Sequence, residues 1–273
     1  MSKIFLTCML GLLFLNCMGR SSETNGQESA SEDDSTLVSE AVVDTVPLGV
    51  KILMKVYPQQ VVGYENWALQ MADGTSIVYD DGEEKDYVTM LDNSDPEDMF
   101  SMTYDRLADK PAYLADAGRS RCESLFKAMY GHSAAEVERQ MERVDWFGQQ
   151  LPFAKVNGAS DSLRAVAREM QQHPDFLKYM KESSTFYWRP VRGAKRLSAH
   201  SYGIAIDINT SLSNYWLWSN KGASETDSLK YENRVPEGIV RIFENHGFIW
   251  GGRWYHYDTM HFEFRPEFLT EPW

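Results

Sequence analysis

A chain of 273 residues has room for one large domain or a modest domain with an appendage. Its content of 43% hydrophobic and 13% aromatic residues suffices for a packed core and excludes a wholly disordered protein. A net charge of −13 argues against a nucleic-acid partner, because phosphate contacts need clustered Lys and Arg. The densest basic patch is local: Arg189, Arg192, Lys195 and Arg196.

In chain order, Lys3 precedes an apolar run, Ile4–Leu15, of signal-peptide length and too short to span a bilayer comfortably. Residues 1–17 are therefore expected to be an export signal. Cys17, in "LFLNCMG", stands where a bacterial lipoprotein signal carries its lipidated cysteine, although Asn16 and Phe14 depart from that pattern. Membrane attachment is expected only through such a lipid, with the protein in the periplasm or cell envelope. Of the cysteines, Cys8 and Cys17 lie in this segment, so no intramolecular disulfide is expected with Cys122. Residues 18–46, rich in Ser, Glu and Asp and without aromatics, read as a flexible tether.

Residues 47–149 form a helical and hairpin region to which no chemistry attaches. "NWALQMADGTSIVYDDG" alternates on both sides of Asp73-Gly74 and predicts a hairpin. "SRCESLFKAMYG" and "SAAEVERQMERVDWFG" predict consecutive helices, the second opened by Ser133 and Glu136 in capping-box spacing. Residues 150–273 begin with a strand in "QLPFAKVN", a helix over "SDSLRAVAREMQQHP" and a short helix in "DFLKYMKES". "TFYWRPV" and "GIAIDIN" predict strands, "PEGIVRIFENHG" a helix stopped by Gly247, and "MHFEF" a last strand. Without regular β-α-β alternation the class is α+β, a small antiparallel sheet packed with several helices.

The chemistry concentrates in 150–273. His200 and Asp207, in "SAHSYGIAID", lie two turns apart on a helix and further still on a strand, too far for one metal unless the chain turns between them. Gly203 permits that turn. Asp207 then stands in "IAIDI", an apolar run that reads as a buried strand, where a carboxylate is either hydrogen-bonded or bound to a metal. "WGGRWYHYDTMHFEF" adds His256, Asp258, His261 and Glu263. A catalytic zinc needs three protein ligands, an open position and a carboxylate base. His200, Asp207 and His261 supply the ligands, and Asp258 the base.

Ser198-x-His200-x-x-Gly203-x-Ala205-x-Asp207, followed by Asp258-x-x-His261-Phe262-Glu263, resembles the zinc D-Ala-D-Ala carboxypeptidase and L-alanyl-D-glutamate endopeptidase family of peptidoglycan peptidases. The resemblance covers about residues 150 to 270. The second motif differs from the Glu-x-x-Trp-His of the vancomycin-resistance dipeptidases and is closer to the endolysin-like branch. The resemblance implies Zn2+ held by His200, Asp207 and His261, with Asp258 as general base. It also implies an upstream arginine that polarises the scissile carbonyl, Arg189 or Arg196, with Arg189 preferred because it follows the apparent strand "TFYW". Ser198 is expected to hold the histidine loop or meet substrate, and Glu263 to support His261. The implied substrate is a peptidoglycan stem peptide, cut at its D-Ala-D-Ala end or between L-Ala and D-Glu. The alternative is a non-catalytic module that keeps the fold and binds wall peptides. His256 reads as locally bonded, and His132, His173 and His246, at helix ends, as structural. Trp188, Trp216, Trp218, Trp250 and Trp254 surround the motifs, mostly as core with one or two free to line a cleft.

Overall fold

The structure, a computed structural model, describes residues 45–270; the expected export signal with Cys17, and all but the last two residues of the tether, lie outside them. α1 (Leu48–Val56) buries Val50, Ile52 and Leu53 along one face. β1 (Val61–Glu65), β2 (Ala68–Met71) and β3 (Ser76–Val78) follow as an antiparallel meander. The hairpin expected at Asp73-Gly74 is the β2–β3 turn, where Asp73 Oδ1 accepts the Thr75 N–H at 2.8 Å. α2 (Tyr87–Asp92) is capped by Asp86, whose carboxylate accepts the Thr89 N–H. α3 (Glu123–Tyr130) stops at Gly131, and α4 (Ala134–Arg139) begins where Ser133 Oγ accepts the Glu136 N–H.

Here the expected second helix breaks off. Met141–Trp146 is β4, and β5 (Gln149–Ala154) pairs with it antiparallel. Val144 and Trp146 are buried while Arg143 and Asp145 are exposed, a period of two that the helix-forming Glu and Arg of "EVERQMER" disguise. The hairpin turns at Phe147-Gly148, both with positive φ. α5 (Ala159–Met170) lays Leu163, Val166 and Met170 on this hairpin. Two further expectations change: Pro174–Met180 is a 3-10 stretch, and "TFYWRPV" forms no strand. In that segment Ser184 bridges Asp207 and Pro190 bridges Leu197, but Pro190 has no N–H to donate and the Arg189 N–H goes to Ser201 Oγ.

β6 (Ala205–Asp207), α6 (Trp216–Ser219), α7 (Glu237–Asn245), β7 (Phe248–Trp250) and β8 (His261–Phe264) complete the chain. The sheet runs β6-β8-β7, antiparallel throughout, and α7 covers it with Phe243 stacked on Phe262 at 3.9 Å between centroids. The class is α+β, with small antiparallel sheets among helices. Residues 47–149 and 150–270 share one hydrophobic core, in which Val50 and Leu53 join Ile206 and Phe262. Tyr57 donates to buried Glu267, which Arg265 also holds, so α1 is fastened to the chain's last turns. Among the described residues no helix is long and apolar enough to cross a membrane.

Candidate metal centre

A short 3-10 turn, Ala199–Tyr202, carries His200, and the Ser198 hydroxyl accepts the His200 N–H at its start. Gly203 ends the turn at φ +68°, a backbone that favours glycine; a Cβ there would also displace the Met141 methyl, 2.4 Å away. The chain reverses into β6, whose last residue, Asp207, is paired with His261, the first residue of β8. Asp207 Oδ1 lies 3.2 Å from His200 Nε2 and 3.0 Å from His261 Nδ1. One donor atom from each of the three residues falls within 4.8 Å of the others.

The far side of each ring decides what faces inward. His200 Nδ1 meets the Thr185 carbonyl, which only accepts, so that nitrogen carries the proton and Nε2 turns a lone pair to the centre. His261 Nε2 meets Glu263 Oε2 at 3.1 Å, leaving the Nδ1 lone pair inward. With both rings neutral, two imidazole lone pairs and a carboxylate converge, an arrangement that needs a cation at the centre, whether a proton or a metal ion. Asp207 and Glu263, on either side of His261, raise its pKa to about 10 against the effect of burial, so the surroundings favour positive charge here. Against its own burial, Glu263 is held down to about 2 by Arg121, His261 and Arg265. Two nitrogens and one oxygen suit zinc.

Asp258 reaches the same place across a turn closed by the His261 N–H donating to the Asp258 carbonyl at 3.1 Å. The residue is half-buried at the edge of the cleft, and its Oδ1 is shielded from water without a hydrogen-bond partner. Burial, then the Asp207 charge, pushes this carboxyl well above its usual range. A shielded, unpartnered carboxylate oxygen beside a convergent ligand set has the character of a group waiting for a proton.

These residues open onto a cleft of about 490 Å3 that five arginines line: Arg119, Arg121, Arg189, Arg192 and Arg196. Arg196 pairs with Asp92, and its Nε–H has no partner. Arg121 donates to Gly118 O at 2.9 Å and Glu263 at 3.4 Å, again with Nε–H free. Arg189 donates to Pro190 O at 3.3 Å and lies over the Tyr187 ring; the strand that singled it out is absent. Trp216, Trp218 and Trp254 line the cleft, whereas Trp250 is core.

His256 stays apart from the ligand set: Asp116 takes its Nδ1 at 2.7 Å and Tyr87 stacks on the ring. His246 bonds Glu169 at 2.7 Å and His173 stacks on Phe176, neither near the centre. Two all-carboxylate groupings, Asp80–Asp81–Asp95 and Asp95–Glu97–Asp98, are served by Lys85, whose Nζ lies 2.7 Å from Asp81 and from Asp98. Sequence reasoning missed Arg119, Arg121, Asp116 and the Thr185 carbonyl. A main-chain acceptor leaves no signal in residue types. Arg119 and Arg121 stand some eighty residues before His200 with no motif around them, and only their pairing with Glu225 and Glu263 brings them in.

Residues 192–264 match the family model described as D-alanyl-D-alanine carboxypeptidase, which bears out the family resemblance of the two motifs. No curated protein and no solved structure matches the chain.

Proposed function

From the match of this segment to a D-alanyl-D-alanine carboxypeptidase family, we propose that the protein is a zinc peptidase of peptidoglycan stem peptides. It would cut at the D-Ala-D-Ala end or between L-Ala and D-Glu. The observation that carries the reading is the unpartnered Asp258 oxygen beside the convergent His200, Asp207 and His261.

His200, Asp207 and His261 would hold the ion, with Thr185 O and Glu263 fixing the ring orientations. Bound there, zinc supplies Lewis acidity, easing ionisation of a water and polarising a carbonyl. Asp258 takes the proton of the attacking water and hands it to the leaving amine; its raised pKa suits both transfers near neutrality. Arg121 and Arg196 line the cleft as guanidinium groups, where they would bind the carbonyl oxygen or a substrate carboxylate. Ser198 acts on the chain itself, holding the His200 turn. The cationic cleft of an acidic protein fits a peptide with free carboxylates and repels cationic ones. The expected export signal agrees with a wall substrate, and Cys17 would anchor the protein to a membrane. Fatty-acid labelling that is lost in Cys17→Ser tests that anchor.

The principal test is metal content by elemental analysis together with mass spectrometry of sacculi digested by wild type and Asp258→Asn. One zinc per chain and a new stem-peptide product, absent with Asp258→Asn, is the expected result. A zinc-loaded wild type that leaves sacculi intact would make the protein a binding module instead.

A further inference from the structure

A second cleft, of about 720 Å3, lies beside α1 and the β1–β3 meander and has the size of a small-ligand site. Its walls carry the rings of Tyr64, Trp67, Tyr79 and Phe100 beside the carboxylates of Asp80 and Glu97. No Lys or Arg is among the described residues that line it.

Trp67 is the unusual member. β1 and β2 are joined by Asn66-Trp67, with φ of +51° and +63°. A two-residue turn of this kind wants left-handed backbone at both places and most often has Gly at the second. Trp there bears left-handed strain, and the residue is 71% exposed, so the folded chain gains little from burying it. Leu48, on the same rim, is 50% exposed. Strain and exposed apolar surface at the mouth of a cleft are explained together if a ligand covers them.

We infer that this cleft binds an uncharged saccharide. The C–H face of a pyranose ring stacks on Trp67 and Tyr64, and its hydroxyls donate to Asp80 and Glu97. An anionic ligand would meet these carboxylates with no Lys or Arg in the lining to offset them. An aliphatic ligand, or a proline-rich peptide with few N–H groups, would cover the rings but desolvate the carboxylates without partners. A sugar satisfies both surfaces at once.

Isothermal titration of the purified protein with the N-acetylglucosamine tetramer tests this. Wild type should bind it, and Trp67→Gly, which suits the turn, should bind at least about tenfold more weakly. Hydrolysis of a soluble stem peptide, which belongs to the other cleft, should not change in Trp67→Gly, so failure here leaves the metal-centre reading standing. Absence of binding to wild type, undiminished affinity in Trp67→Gly, or uptake of a proline-rich decapeptide in place of the tetramer overturns the inference.

Discussion

The two clefts of this chain are incomplete in opposite ways. The one at the metal centre is lined by five arginines and leaves shielded polar atoms of its lining residues without partners: Arg121 Nε, Arg196 Nε, His256 Nε2 and Asp258 Oδ1. The one beside α1 has no cation among its described residues and none of these orphaned atoms; what it leaves unsatisfied is apolar surface, on Trp67 and Leu48. Unpaired buried polar groups are costly, and where several gather at one cleft a bound group can complete them. Exposed rings are cheaper and call for a partner with a face to stack. On the functions proposed for them, chemistry would belong to the first cleft and adhesion to the second, and each should be open to disabling without the other.

The largest effect should come from the ligands. His200→Ala or His261→Ala should abolish zinc, by elemental analysis, and hydrolysis with it, while tetramer binding in the second cleft persists. Full zinc occupancy in either variant would sink the ligand assignment. Next in size, Asp258→Asn keeps the shape and removes the basicity. It should retain zinc and lose on the order of 10²–10⁴-fold in rate. A variant that instead loses its zinc would make Asp258 a ligand.

Glu263→Gln should cost less: about 10–100-fold in zinc affinity, read by competition with a chelator, because His261 loses its charged partner. The same carboxylate gives a pH signature. Its folded pKa, about 2, is depressed below the ordinary 4.5, so its contribution is fully present above about pH 4.5 and is lost as pH falls towards 2. In zinc-stripped protein that contribution is about 3 kcal/mol. Urea unfolding between pH 6 and 3 should show stability falling in wild type and a flatter profile in Glu263→Gln. Equal slopes would show that Arg121 and Arg265 do not hold Glu263 ionised.

The convergence of His200, Asp207 and His261 was legible in the sequence because its constraints are local and typed. Gly203 between His200 and Asp207 announces a turn, and Asp258 three residues before His261 spans a single turn. The helices over 123–130, 159–170 and 237–245 carry complete apolar faces and clear stops, and they appear as expected. β4 did not, because Glu142, Arg143 and Asp145 are tolerated on the exposed side of a hairpin as readily as on a helix. α2, six residues long, is too short for periodicity to mark it, and α1 has neither a side-chain N-cap nor a Gly stop to announce it. Beyond the Gly118 carbonyl, the partners of Arg121 lie 76 and 142 residues away, and nothing in its neighbours points to them.

The smallest effect sets one hairpin against another. Asn66-Trp67 and Phe147-Gly148 close two-residue turns with positive φ at both central places, yet one has Trp where the other has Gly. Left-handed backbone costs a non-glycine residue about 1–2 kcal/mol. Glycine's greater freedom when unfolded offsets about 0.5–1 kcal/mol of the relief that replacing Trp would bring. Trp67→Gly should therefore raise stability by about 0.5–1 kcal/mol, a rise in Tm of about 1–4 °C for a unit of this size. Gly148→Ala is the mirror experiment: a Cβ there meets nothing within 4 Å, so backbone strain acts alone and stability should fall by a similar amount. Calorimetry on both variants separates strain from packing. If Gly148→Ala destabilises as expected but Trp67→Gly does so too, the indole supports the fold where it stands, and the case that it waits for a ligand loses its physical basis.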